Sequence, residues 1–419
     1  MFLFLGACVC QSLVDPPYLH TYGIRRATPT KLFMFFGPLT SFDDPQGIAA
    51  AKMKSRDDPK TEDDDDELVV YGVNSGKNQL IYNTSMWTLG LYGKKGSGKD
   101  QFLSPKGIAI DQGGNVYVAD CGNGRVVHLF NPKAEVGWVE SFTGKNETDQ
   151  GLISPRQVAL DRDGRLYVTD PATGRIVVFS AGGRISQIIP AEGRFRFEAG
   201  PEMLAVADGT DEWSFFRRDR FVFCCDQDGR RLWKIGFDGQ VIKRVDLPAG
   251  HRAGYAAIDY FNNLWITDRE NHCVLKYDHD LELLDLFGSF GTGKNQFVEP
   301  RGIAIWKRYG QTFIAEKKGA QYSWIGTECK EKSLRATGDN NYTLSLAVTE
   351  YSYVSLFNVP VKDTFWVFKR RLIFAGAHPL NFRGDTAVMD GTAQLYLRIE
   401  PTYSSFKYYK WDYPIAVGR

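Results

Sequence analysis

Four aspartates stand in matching contexts in this 419-residue chain: Asp120 closes Val-Ala-Asp, Asp170 closes Val-Thr-Asp, Asp268 closes Ile-Thr-Asp, and Asp226 follows Cys225. Carboxylates that end equivalent strands could ring one mouth of a channel and hold a hard cation, with a structural calcium as the cofactor such a ring would take. The plainer alternative gives each Asp a local task, accepting hydrogen bonds from the backbone of an adjacent turn, and regular recurrence favours it. Lys106, Arg156 and Arg301 occupy the middle of Pro-x-Gly or its equivalent. A cationic rim of that kind suits a carboxylate or phosphate. Gln46 and Glu202 interrupt the rim, which favours solvated strand starts. The candidate channel-mouth residues are therefore Lys106, Arg156, Arg301, Asp120, Asp170 and Asp268.

Catalytic constellations are harder to find. The six histidines, His20, His128, His251, His272, His279 and His378, sit in unlike contexts, and no Ser-His-Asp order, phosphate loop or His-x-x-x-His motif occurs. No catalytic or metal-ligating residue is assigned. Asp63, Asp64, Asp65 and Asp66 lie within an acidic run that lacks the alternating, Gly-containing spacing of calcium loops. They read instead as a self-repelling loop that attracts a basic partner. Lys plus Arg number 51 against 50 Asp plus Glu, so no global charge argues for nucleic acid.

The elements that would position these residues come from a repeated phrase. Tyr92 to Ile110 and Phe287 to Ile305 share Gly-[Ser/Thr]-Gly-Lys-x-Gln-Phe and a closing Pro-x-Gly-Ile-Ala-Ile, with weaker copies at Phe36 to Ala49 and Phe142 to Leu160. Recurrence at about 45–60 residues means one supersecondary unit used several times. Each unit parses into four short strands by alternation and turn chemistry. Six such units fill 31–338, and the last lacks its outer strand. Lys31 to Phe36 is expected to supply that strand and close the ring. The Gly-x-Gly-Lys segments, superficially phosphate cradles, fall between units and read as connectors. The irregular insertions Lys52 to Glu67 and Asp208 to Arg220 are the expected partner contacts.

Val118-Ala119-Asp120 with Asn123-Gly124-Arg125-Val126 resembles the NHL repeat, as do Val168-Thr169-Asp170 with Gly174-Arg175-Ile176 and Ile266-Thr267-Asp268 with Asn271; Tyr71 and Glu316 stand where the first and last units should carry the Asp. That resemblance implies an all-β, six-bladed β-propeller. It leaves function open, because the fold serves binding platforms and enzymes alike. Propeller lyases hold a metal with several His, and lactonase-type propellers need Glu, Asn and Asp converging on a central calcium. Beyond 338, Ala375-Gly376-Ala377-His378 with Phe382 and Gly384 is similar to the Ig-like domain of flagellar hook-capping proteins, implying a small β-sandwich over 339–419. Residues 1–30 read as a signal-like segment and linker, in which Leu5-Gly6-Ala7-Cys8 resembles a bacterial lipobox with Cys8 as the lipidated residue.

The expectation is an exported protein, lipid-anchored to a bacterial membrane, whose propeller is a non-catalytic platform for protein partners in an envelope complex. The alternative is a metal-dependent propeller enzyme acting on a small ester, lactone or amide.

Overall fold

The computed structural model describes residues 11–16, 26–56, 68–83, 89–132, 135–145, 151–226, 228–358, 365–384, 389 and 394–418. Cys8 and the acidic residues Asp63, Asp64, Asp65 and Asp66 lie outside the described residues. The protein is all-β. No helix among the described residues is long and apolar enough to cross a membrane. The chain divides into two units, Tyr18–Tyr322, and Met1–Pro17 together with Ser323–Arg419.

In the first unit, antiparallel sheets follow one another along the chain. The first sheet runs Pro45–Lys52, Leu68–Asn74, Gln79–Asn83, Leu89–Tyr92; the second Pro105–Ile110, Asn115–Asp120, Arg125–Phe130, Gly137–Phe142. The third runs Val158–Leu160, Leu166–Asp170, Arg175–Phe179, Ile185–Ile189; the fourth Pro201–Asp208, Arg220–Asp226, Arg231–Gly236, Val241–Asp246. The fifth runs Ala256–Ile258, Leu264–Asp268, Cys273–Tyr277, Leu283–Phe287, and the sixth Ile303–Trp306, Gln311–Glu316, Gly319–Ile325. Second strands such as Leu-Tyr-Val-Thr-Asp at Leu166–Asp170 are buried throughout, whereas fourth strands such as Val241–Asp246 are largely exposed. A strand covered on both faces reads as a near-continuous apolar run, and one covered on neither is free to be polar.

The first strand of each sheet lies against the first strand of the next, and Ile303–Trp306 of the sixth returns to Pro45–Lys52 of the first. The glycine of Pro-x-Gly makes this approach possible. A Cβ on Gly47 would stand 2.7 Å from the Lys106 carbonyl oxygen, and one on Gly302 would stand 2.4 Å from that of Gln46. Apolar faces of neighbouring sheets interlock, as where Ala119 and Val126 of the second sheet cluster with Leu166, Val168 and Phe179 of the third. Burial of such side chains contributes roughly 1.5–3 kcal/mol each.

The closing strand differs from expectation. Lys31 to Phe36 is not a strand; Pro29–Phe36 forms a helix, α1. Thr28 caps it by accepting from the Lys31 N–H, Pro29 starts it, and Gly37 ends it at φ +68°. The run Leu-Phe-Met-Phe-Phe has no period-2 alternation to hold it extended, and in it only Leu32 is buried. Arg26–Ala27 takes the strand's place and pairs with Gln321 and Ala320 of the sixth sheet.

The second unit contains two four-stranded sheets. One orders Gly376–Arg383, Asn341–Val348, Cys329–Gly338 and Val417–Gly418; the other orders Phe365–Ile373, Ser352–Asn358, Leu395–Pro401 and Trp411–Ile415. Phe382 is buried, 5.8 Å from the Tyr342 ring. The units part at Tyr322/Ser323 rather than near 338, because Cys329–Gly338 pairs along its length with Asn341–Val348. Ser12, Leu13 and Val14, expected as linker, are buried, and Leu13–Val14 pairs with Trp324 and Ile325. Cys121, Cys224, Cys225, Cys273 and Cys329 are free thiols.

Candidate functional site: strand-end carboxylates and two cavities

The strand-end carboxylates face their own connectors. Asp120 Oδ1 accepts from the Leu103 N–H at 2.7 Å, and Oδ2 from Asn123 Nδ2 at 2.8 Å and Arg125 Nε at 2.7 Å. The remaining guanidinium nitrogens of Arg125 donate to the carbonyls of Ser97, Gly98 and Gln101. Gly96-Ser97-Gly98-Lys99 therefore presents carbonyl oxygens to a cation, the reverse polarity of a phosphate cradle. Burial pushes the Asp120 carboxyl above its ordinary range against the pull of Leu103, Asn123 and Arg125. Asp170 accepts from the N–H groups of Ile153 at 3.0 Å and Ser154 at 2.9 Å.

The outlying sheets keep the device with different parts. In the sixth, Glu316 accepts from the Val298 N–H at 2.8 Å, while Arg26 of the closing strand donates to the carbonyls of Gly293 and Gln296. Those two carbonyls match Gly98 and Gln101 in the repeated phrase. In the first, the position belongs to Asn74 and not to Tyr71: Asn74 Oδ1 accepts from the Asp43 N–H at 2.7 Å, and Asn74 pairs with Gln79 as Asp120 pairs with Arg125. In the fifth, Cys273 stands opposite Asp268 where an Arg stands in the second and third sheets. His251 fills the gap, its Nδ1 lying 2.9 Å from Asp268 Oδ2. Cys273 Sγ lies 3.8 Å from the same nitrogen, and burial pushes its thiol up to about 12.

The fourth sheet breaks the pattern. Arg231 bonds outward to Asp246 at 2.7 Å and to Glu198. Asp226 Oδ1 is buried with no hydrogen-bond partner. Burial first, and then the Asp228 carboxyl beside it, raises Asp226 to about 7.

At the Pro-x-Gly ends of the first strands lies a cavity of about 200 Å³ whose lining includes Gln46, Arg156, Glu202, Tyr255, Asp268 and Arg301. Of the six residues expected at one mouth, Arg156, Arg301 and Asp268 meet here; Lys106, Asp120 and Asp170 are not in the lining. The cations already have partners. Arg156 pairs with Glu202 at 3.2 Å, Lys106 with Asp44 at 3.2 Å, and Arg301 with Asp44 and, at 3.4 Å, Glu299. Burial would raise the Asp44 carboxyl, but Arg301 and Lys106 hold it below its ordinary value. Asp44 and Glu299 escaped sequence reasoning, although each stands immediately before the Pro of its phrase.

The opposite ends of the first strands surround a cavity of about 410 Å³ bordered by Lys54, Asp111, Asp161, Asp208, Trp213 and Lys307. Asp111 and Asp161 are occupied locally, accepting from the N–H groups of Asn115 and Arg165 at 2.9 Å. The insertion after Asp208 walls this cavity. Asp211 pairs with Lys307 at 3.1 Å, Arg308 lies over the Trp213 ring at 5.2 Å, and Ser214 donates to Asn262 Oδ1 at 3.0 Å. The insertion is thus strapped to turns of the fifth and sixth sheets.

The NHL repeat family matches residues 102–129, so the chain carries an NHL repeat across the first and second strands of the second sheet and most of its third. No curated protein matches the chain. Among solved propeller-type structures, a streptogramin B lyase is similar at 14% identity, covering 69% of this chain and 95% of its own, with a TM-score of 0.47. A gluconolactonase from Xanthomonas campestris is similar at 12% identity, covering 77% and 99%, with a TM-score of 0.47. A catalytically inactive virginiamycin B lyase from Staphylococcus aureus, with quinupristin, is similar at 14% identity, covering 61% and 77%, with a TM-score of 0.44. Likeness at this level assigns no activity.

Proposed function

We propose that this chain is a non-catalytic binding platform: a six-bladed β-propeller closed by its N-terminal strand, followed by an Ig-like module, exported and anchored through a lipid on Cys8. The observation that carries the reading is the division of labour between the two cavities. At the Pro-x-Gly end Asp44, Glu202 and Glu299 already neutralise Lys106, Arg156 and Arg301. At the other end the wall is the non-repeating insertion, with Glu212 exposed and Trp213 half-buried beside about 410 Å³ of mixed polar and apolar space. An exposed carboxylate on a strapped loop suits a basic side chain of a protein partner, because little ordering entropy is lost on binding. The acidic loop of Asp63, Asp64, Asp65 and Asp66 would add attraction for the same kind of partner.

A photo-crosslinking residue in place of Trp213, expressed in cells, tests this. The expected result is one defined protein adduct in the membrane fraction that is lost with Glu212→Lys and does not form from Val139, on an exposed outer strand. Absence of the adduct, or metal-dependent turnover of esters, lactones or amides by the purified protein, overturns the reading in favour of the enzyme alternative. Acyl labelling that persists in Cys8→Ser overturns the anchor separately.

A further inference from the structure

The fifth sheet departs from its neighbours at two positions at once, and the two departures meet. Opposite the strand-end aspartate, Arg125 and Arg175 in other sheets are replaced by Cys273, and the connector contributes His251. The result is one imidazole nitrogen, one carboxylate oxygen and one thiol sulfur, all within 4.8 Å of one another. Asp268 and Cys273 are buried and the His251 side chain is 18% exposed. We propose that His251, Asp268 and Cys273 form a binding site for a borderline-soft divalent transition ion, zinc foremost.

The ligand set carries the choice of metal. A mixed nitrogen, oxygen and sulfur donor set suits zinc, whereas calcium and magnesium take oxygen ligands. Zinc bonds of about 2.0–2.3 Å in tetrahedral geometry place neighbouring ligand atoms roughly 3.3–3.6 Å apart. The separations from Nδ1, 2.9 Å to Oδ2 and 3.8 Å to Sγ, bracket that range, while the carboxylate and Sγ, within 4.8 Å of each other, close by as much as about 1.2 Å when the ion binds. The carboxylate is held ready by its surroundings. Asp268 Oδ1 accepts from the N–H groups of Glu270 and Asn271, and Oδ2 from the Arg252 N–H and Asn271 Nδ2. The Asn271 amide also donates to the Gly250 carbonyl, tying down the loop that carries His251. Outer contacts of this kind fix a ligand's orientation.

On binding, the ion takes the place of the proton between Nδ1 and Oδ2. The imidazole carries its proton on Nε2 instead, and the thiol releases its proton to solvent, so charge and atoms balance. Asp268 also borders the cavity at the Pro-x-Gly end, from which a water would complete four-coordination. The site does not depend on the platform reading, since it lies among the fifth sheet's own segments and needs no partner.

The test uses the full chain stripped with chelator and titrated with cobalt(II), then zinc. The expected result is one ion per chain, with a thiolate-to-cobalt charge-transfer band that zinc abolishes. Cys273→Ser should lose the band and weaken zinc binding by about 10-fold or more, while Cys121→Ser, which alters the free thiol of the second sheet, should change neither. Cys273→Ser retains the hydrogen bond between His251 and Asp268, and its unchanged melting curve without metal would show that it folds. A cobalt complex without the band, no stoichiometric binding, or equal zinc affinity in folded Cys273→Ser overturns the proposal.

Discussion

The second and fourth sheets carry an aspartate at the same place in the same hairpin and treat it in opposite ways. Asp120 in the second clamps its connector through Leu103 and holds Arg125, which in turn gathers the carbonyls of the glycine-rich phrase. Asp226 in the fourth keeps a buried oxygen without a partner, and Arg231 turns outward. The connector explains the difference. The segment entering the fourth sheet has lost the Gly-x-Gly-Lys phrase and carries Phe195 and Phe197, whose rings each lie 5.5 Å from that of Trp233. Aromatic packing now does what the carboxylate and guanidinium do elsewhere. The repeat's aspartate clamps its connector in the second, third and fifth sheets, and is left as a titratable group in the fourth, where aromatic packing has taken over.

The sharpest way to break this contrast is to delete each carboxylate. Asp120→Ala leaves the Arg125 guanidinium, with its 11%-exposed side chain, without an anion, and the Leu103 N–H without an acceptor. Breaking such a pair costs about 3–5 kcal/mol. Asp226→Ala removes a group that clamps no connector and should cost under about 1 kcal/mol at neutral pH. Urea unfolding of both proteins measures the difference, and equal losses would refute the comparison.

A smaller effect sharpens it through pH. Because Asp226 sits near 7 in the folded protein against an ordinary 3.8, the folded state holds a proton between those values that the unfolded chain has released. Its contribution to stability therefore falls as pH rises from about 4 to about 7, and the penalty is complete above 7. Asp228, held below its ordinary value by the hydrogen bond from Asp226, offsets part of this. Asp226→Asn should flatten the profile and gain about 1–2 kcal/mol on wild type between pH 5 and pH 8. Stability that falls with pH as steeply in the variant as in wild type would assign the slope to other groups.

Much of this was legible in the chain. Strand-turn-strand boundaries followed from alternation and turn residues, and the Pro-x-Gly phrase marked the places where first strands abut. Three features were not legible, because what decides each lies outside the segment in question. Lys31 to Phe36 is apolar enough for a strand or a helix, and the Thr28-Pro29 start decides between them. Asn74 was hidden because Asn replaces Asp and the alternation of Leu-Val-Val-Tyr-Gly-Val-Asn permits more than one register; its pairing with Gln79 resolves it. The charged rim read as open because Asp44 precedes the Pro of the first sheet, yet neutralises Lys106 of the second and Arg301 of the sixth. His251 looked like a histidine in an unmatched position, and it is one: its meaning comes from the arginine that Cys273 replaced.

The sixth sheet offers the finest test, because its clamp is assembled from three separate segments. Glu316 reaches the Val298 N–H and accepts from Gln321 Nε2 at 2.7 Å, and Arg26 lies 3.9 Å away. If the clamp works chiefly as a hydrogen-bond acceptor, Glu316→Gln keeps Oε1, which accepts from both Val298 and Gln321, and loses only the charge assistance and the ion pair of Oε2 with Arg26. The expected cost is about 0.5–1 kcal/mol, well below that of Asp120→Ala, because no fully buried cation is stranded. Hydrogen exchange at the Val298 amide distinguishes the cases that a melt would blur. Modest acceleration at that amide supports an acceptor role. Exchange as slow as in wild type, together with a loss as large as that of Asp120→Ala, would instead mean that Glu316 serves Arg26 and that the sixth sheet holds its connector by charge.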